Sequence, residues 1–129
     1  MEGQIMKNIL LISEQIIGNR NFIESLKTVY KVDAISYVST ALHRLRVVGN
    51  YDLVIIEIGM PNANSESLLN SRDGINFHKD HLEGFGVPTI LWLWGTSMPE
   101  EIPDKVTMVL REHRDNHLLN AANNVLEQN

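Results

Sequence analysis

Short runs of leucine and β-branched residues alternate with amphipathic stretches along the chain. "KNILLIS" (7–13) has the continuous apolar character of a strand buried on both faces. In "FIESLKTVY", Phe22, Ile23, Leu26 and Tyr30 recur at helical spacing, and Asn19 or Asn21 stands where a helix cap is needed. "DAISYV" (33–38) alternates as an edge strand does. Ser39 or Thr40 is then placed to cap the helix "ALHRLRVV", which Gly49 closes. "YDLVIIEI" (51–58) is the most continuously apolar of these early strands.

The second half keeps the alternation but stretches one connection. The polar segment 59–72 exceeds an ordinary connection, and within it Leu68 and Leu69 are placed to seed a helical turn. "DGINFHKDHLEGFG" carries Ile75, Phe77, His78 and Leu82 on one side of a helix. "PTILWLW" (88–94) is a strand introduced by proline, and "VTMVL" is a fifth. Between them "GTSMPEEIPDK" (95–105) has two prolines within five residues, which leaves room for one helical turn at most. "NHLLNAANNVLEQ" closes the chain as a helix, with Leu118, Leu119, Ala122, Val125 and Leu126 on its apolar stripe. Strands separated by crossovers predict one α/β domain over 1–129: a doubly wound parallel sheet with a core of about 7–127 and its fourth helix shortened or missing.

Composition narrows the function classes. The net charge of −5 argues against a duplex-DNA surface, and only "HRLR" and "REHR" are locally basic. No apolar run is long enough to cross a bilayer, and no export signal is evident, so a cytoplasmic protein without membrane attachment is expected. With no cysteine, disulfides, thiolate metal sites and thiol nucleophiles are excluded together. There is no glycine-rich phosphate loop and no nucleophile elbow, so neither enzymatic activity nor a cofactor is expected.

One residue stands against this bland background. "YDLVIIEIGMP" runs an apolar strand into Glu57, and Met60-Pro61 then turns the chain away. With "ILLISEQ" before it and "DGINF" and "VPTILWL" after it, the order and spacing resemble the receiver domain of two-component response regulators. The resemblance covers about residues 7–127. It implies a five-stranded flavodoxin-like (CheY-like) sheet, with the functional pocket at the carboxyl ends of the strands.

The departures from that family define a degenerate pocket. Glu57 stands at the phosphoacceptor Asp, and Ser13 and Glu14 stand at the paired acids that help bind Mg²⁺. Leu93 falls at the switch Thr or Ser, Arg111 at the invariant Lys, and Met108 near the aromatic switch residue. Gly59 keeps a backbone carbonyl that the ion site could use. Mg²⁺ demands near-octahedral oxygen geometry, which a Ser and two longer Glu side chains do not reproduce. Leu93 has no hydrogen bond to offer a phosphoryl oxygen.

The resemblance therefore implies a phosphorylation-independent pseudo-receiver that signals through protein contacts. Glu57 is either a phosphate mimic paired with Arg111 or a satisfied structural acid, and the structural role is preferred. The competing readings are an atypical receiver that still takes Mg²⁺ or a phosphoryl group through Glu14 and Glu57, and a small-molecule sensor near Trp94 and Gly95. Trp92 and Trp94 are expected mainly as core. With so little of a fourth helix, apolar area near Trp94, Met98 and Met108 is expected to meet a protein partner, and the usual receiver dimer face to be altered. His78 with His81, and His113 with His117, have spacings that suit two zinc ligands, but with no third ligand they are expected on solvated faces. Ser65, Ser67 and Ser71 make the 59–72 loop either a modification or binding loop or a tolerated insertion.

Overall fold

The computed structural model describes residues 6–59, 66, 68–94, 99, 101–111 and 117–127. Its strands are β1 (Asn8–Ile12), β2 (Lys31–Ile35), β3 (Leu53–Ile58), β4 (Thr89–Leu93) and β5 (Val106–Leu110). Its helices are α1 (Arg20–Lys27), α2 (Val38–Val47), α3 (Ser71–His81) and α4 (His117–Glu127), with a 3-10 turn at Glu83–Phe85. All pairings are parallel and the strand order is β2-β1-β3-β4-β5. The chain therefore winds out from the centre in both directions, as the apolar runs predict.

Strand parity divides the core into two layers. Ile9, Leu11, Leu53, Ile55, Ile90, Trp92 and Val109 point to one face, where Ile23 and Leu26 of α1 and Leu118, Ala122 and Leu126 of α4 cover them. Leu10, Ile12, Val54, Ile56, Ile58, Leu91, Leu93 and Val106 point to the other, under Ala41 of α2 and Ile75 and Phe77 of α3. Every residue of β3 is buried, which is why that strand reads as an unbroken apolar run rather than an alternating one. On the second face α3 lies close to the sheet at Gly74. A Cβ there would come within 2.7 Å of the Leu91 side chain and 3.1 Å of Ile58.

Several boundaries move for local reasons. Expected over 33–38, the second strand ends at Ile35, because extended Tyr37 is the N-cap of α2 and accepts the Ala41 N–H. Ser39 is thus inside the first turn rather than at the cap, and its N–H and hydroxyl donate to the Glu66 carboxylate. Leu68 and Leu69 form no helical turn; the Leu68 carbonyl accepts from Gly59 N–H, and the Leu69 N–H donates to Asp73. α3 begins at Ser71, two residues before "DG", because the Asn70 side chain accepts from Asp73 N–H at 2.9 Å.

Among the described residues between β4 and β5 there is no helix. The fourth helix of a five-helix arrangement is therefore not seen, as the two prolines anticipate. Against expectation, His78 is buried. It lies on the sheet-facing side of α3, and Nδ1 meets the Thr89 hydroxyl at 2.7 Å. The i, i+3 relation to Ile75 turns it inward, so it has no solvated face to share with exposed His81, which packs on Phe77 instead. His117 opens α4 and is exposed, while His113 lies outside the described residues. No helix among the described residues is long and apolar enough to cross a membrane.

Candidate functional site

The same parity builds the site. Ser13 is two residues beyond Leu11, Glu57 beyond Ile55, Trp94 beyond Trp92 and Arg111 beyond Val109, so each continues the α1/α4 face, Glu57 near the end of β3 and the others just past their strands' carboxyl ends. Asn19, the residue before α1, is brought over them by the β1–α1 connection. Its side chain makes no capping hydrogen bond. Instead it turns inward and is itself buried.

Glu57 is the centre. Its carboxylate accepts four hydrogen bonds: Ser13 Oγ donates to Oε1 at 3.0 Å, while Asn19 Nδ2 (3.1 Å), Trp94 Nε1 (2.8 Å) and Arg111 (2.9 Å) donate to Oε2. The amide of Asn19 also donates to Ser13 Oγ at 2.9 Å, and its oxygen accepts from the second guanidinium nitrogen of Arg111. Ser13 Oγ additionally accepts the Gln15 N–H at 3.3 Å. The carboxylate, amide, hydroxyl and guanidinium thus close a ring of mutual hydrogen bonds.

Arg111 is held by aromatic rings as well. Its guanidinium carbon lies 4.3 Å from the Trp92 ring centroid, 4.5 Å from that of Trp94 and 5.4 Å from that of Phe22. Phe22 meets Trp92 edge-on at 5.1 Å, which fixes the buried indole from behind. Burial pushes the Arg111 guanidinium down from its ordinary range and the Glu57 carboxylate pulls it back up. A guanidinium starts high enough to stay cationic through both effects.

The predicted pocket residues therefore separate. Ser13, Glu57 and Arg111 meet in one network. Glu14, the residue after Ser13, is half-buried. Gly59 adopts φ +78° and turns the chain out of β3, with Leu69 O 3.3 Å and Trp94 Cβ 3.9 Å from where its Cβ would stand. Leu93 has the wrong parity and packs with Ile58 and Leu91 under α3. Trp94 takes the place beside Glu57 expected at Leu93, while 38% of its surface remains exposed. Met108 is half-buried on the α3 side of β5, and Met98 lies outside the described residues. Asn19 was legible only as a cap; its inward turn follows from Ser13 and Glu57 offering it partners that a helix end does not.

The donor set does not fit the divalent ion that a receiver pocket implies. Mg²⁺ needs oxygen lone pairs turned toward it. Both Glu57 oxygens instead face N–H or O–H donors, and the Ser13 hydroxyl spends its proton on Glu57. A second cation there would also face the Arg111 guanidinium across 2.9 Å of hydrogen bond. Among the described residues no group of three or more His, Asp or Glu is disposed to hold a metal.

Comparison with solved structures identifies the fold. The chain is similar to a CheY-like response regulator receiver domain from Methanospirillum hungatei JF-1, with a TM-score of 0.68 at 13% identity over 96% of each chain. An orphan response regulator of H. pylori matches with a TM-score of 0.66 at 15% identity, covering 93% of this chain and 96% of the other. The response regulator TrrA, solved in complex with the histidine kinase ThkA, belongs to a structure matched with a TM-score of 0.62 at 21% identity over 94% of this chain and 99% of the matched one. The fold is that of the response-regulator receiver domain. No family model and no curated protein sequence matches the chain.

Proposed function

We propose that the chain is a phosphorylation-independent receiver-type module that signals by binding other proteins. The observation that carries this reading is the saturation of Glu57: its side chain has no exposed surface, and its carboxylate already accepts four hydrogen bonds. A nucleophile needs a lone pair open to in-line approach, and phosphoryl transfer needs a cation on the leaving and transferring oxygens. Here Oε2 accepts three hydrogen bonds, Oε1 accepts the Ser13 hydroxyl, and the local cation is bound to the nucleophile itself. A glutamate in place of the phosphoacceptor Asp then serves to hold Arg111 and the surrounding rings in one arrangement.

Protein contact is the remaining output. The exposed edge of Trp94, a residue that also binds Glu57, joins the fixed network to the surface near the end of β4. The complex of TrrA with a histidine kinase supports a protein partner for this fold. Nothing in the charge balance favours nucleic acid, and a cytoplasmic location is part of the same proposal. The test is intact mass spectrometry after incubation with acetyl phosphate and Mg²⁺, alongside amide NMR with Mg²⁺ and beryllofluoride. The expected result is no added phosphoryl mass and no saturable shift at Ser13, Asn19, Glu57 or Gly59. Either signal overturns the proposal.

A further inference from the structure

A groove of about 640 Å³ lies between α3 and the residues that lead into β5. Arg72, Ile75, Asn76 and Lys79 form one wall, at i, i+3, i+4 and i+7 on a single helix face. Pro99, Glu101, Ile102 and Pro103 form the other. Ile75 is buried, whereas Ile102 is 45% exposed, so the groove has an apolar floor and a partly open apolar side. Next to it, Met108 and Leu110 of β5 are only half-buried against the α3 layer. This is the side of the sheet on which no crossover helix is seen among the described residues between β4 and β5.

Charge decides what could cover it. The chain as a whole carries −5, yet the α3 wall presents Arg72 and Lys79, neither of which forms an ion pair among the described residues. They stand two helical turns apart, about 10 Å along the axis. Between them lies the apolar floor at Ile75. We infer that this groove docks an amphipathic helix of a partner protein, with two acidic residues seven apart and apolar side chains between them. Such a helix matches both cations with its own periodicity and buries its apolar residues on Ile75 and Ile102. Glu101 on the opposite wall then selects orientation, because it repels the acidic stripe and turns it toward α3.

This inference rests on the protein-contact reading above but is tested separately from the Glu57 site. The probe is a capped synthetic helix of Ala and Gln with two Glu seven residues apart and two Leu between them, titrated into the ¹⁵N-labelled full chain at low salt. A second peptide carries Lys for both Glu. The expected result is saturable shifts at Arg72, Ile75, Asn76, Lys79 and Ile102 with the acidic peptide only, weakened as salt is added. The double variant Arg72→Gln, Lys79→Gln should bind it about tenfold more weakly while keeping the wild-type amide spectrum elsewhere. The inference is overturned by no shift at millimolar peptide, by equal shifts with the Lys peptide, or by the same shifts with free succinate, which would mark a small-anion site. A phosphoryl mass on Glu57 would overturn the functional proposal and leave the groove result standing.

Discussion

The carboxylate of Glu57 and the guanidinium of Arg111 meet at 2.9 Å, the first side chain fully buried and the second 17% exposed. A pair this deep costs desolvation on both sides and is kept only where further hydrogen bonds satisfy it. Asn19, Ser13 and Trp94 supply those for Glu57, and the rings of Trp92 and Trp94 supply the flat faces for Arg111.

Removing one member leaves an uncompensated buried charge. Arg111→Ala and Glu57→Leu are each expected to cost about 3 kcal/mol in urea unfolding. The double variant Glu57→Leu, Arg111→Met is expected to return to within about 1 kcal/mol of the parent, because a well-packed apolar pair replaces the ion pair without its desolvation cost. Strict additivity of the singles would show that the two charges are not coupled. Arg111→Lys is not a mild change here, since an ammonium neither lies flat between indoles nor reaches two acceptors with a planar fork.

Most of the scaffold is legible in the sequence, because every strand except the alternating edge strand β2 is an apolar run and each helix except α2 carries an evident stripe. The site is legible in part. Family spacing points to Leu93, but in a strand what counts is parity: Glu57 pairs with Trp92, so the next residue on that face is Trp94. That signal was present in "LWLW" and needs only the strand register to read. Asn19 was hidden for a different reason. An Asn before a helix satisfies the capping rule, and only the tertiary position of Glu57 shows that its amide is used elsewhere. The spacing already sets His78 beside Ile75, Phe77 and Leu82 on one side of its helix, but that its polar ring could be buried there shows only once Thr89 is known to meet it.

His78 should make the fold sensitive to mild acid. Burial holds its imidazole below the ordinary histidine range, with Glu83 pulling weakly the other way, and its Nε2 has no hydrogen-bond partner among the described groups. The unfolded chain protonates this group near pH 6.5, whereas the folded chain resists until a lower pH. The unfolded state therefore binds more protons in that window, and stability falls as pH drops through it and levels off below the folded value. His78→Leu should flatten this slope below about pH 6.5, though it costs the Thr89 contact. An unchanged slope in urea unfolding at several pH values would assign the acid sensitivity to another group.

Two glycines make opposite predictions. Gly74 sits in α3 where a Cβ would stand 2.7 Å from Leu91, so overpacking of about 1–3 kcal/mol should outweigh the helix-propensity gain of about 1 kcal/mol. Gly74→Ala is thus expected to lower stability by about 1 kcal/mol. Gly84 has nothing within 4 Å of its would-be Cβ, and Gly84→Ala should be neutral or gain up to about 1 kcal/mol. Thermal unfolding of both variants, compared with the parent, separates steric from chain-entropy effects.

Shortening residue 57 tests the proposed silence of the site directly. Glu57→Asp withdraws the carboxylate by one methylene from Ser13, Trp94 and Arg111, whose donors now lie 2.8–3.0 Å away. The shorter side chain loosens the network and is expected to cost about 1–2 kcal/mol in urea unfolding. On the proposed reading it is not expected to confer phosphoryl transfer, because Ser13 contributes no charge to an ion and Leu93 faces the α3 layer. Intact mass after acetyl phosphate with Mg²⁺ should therefore match the untreated Glu57→Asp protein. A phosphoryl adduct on Asp at this one position would show that the length of residue 57 alone decides whether the site accepts a phosphoryl group. The Arg111, Trp94 and Asn19 contacts would then not be what keeps a phosphoryl group out.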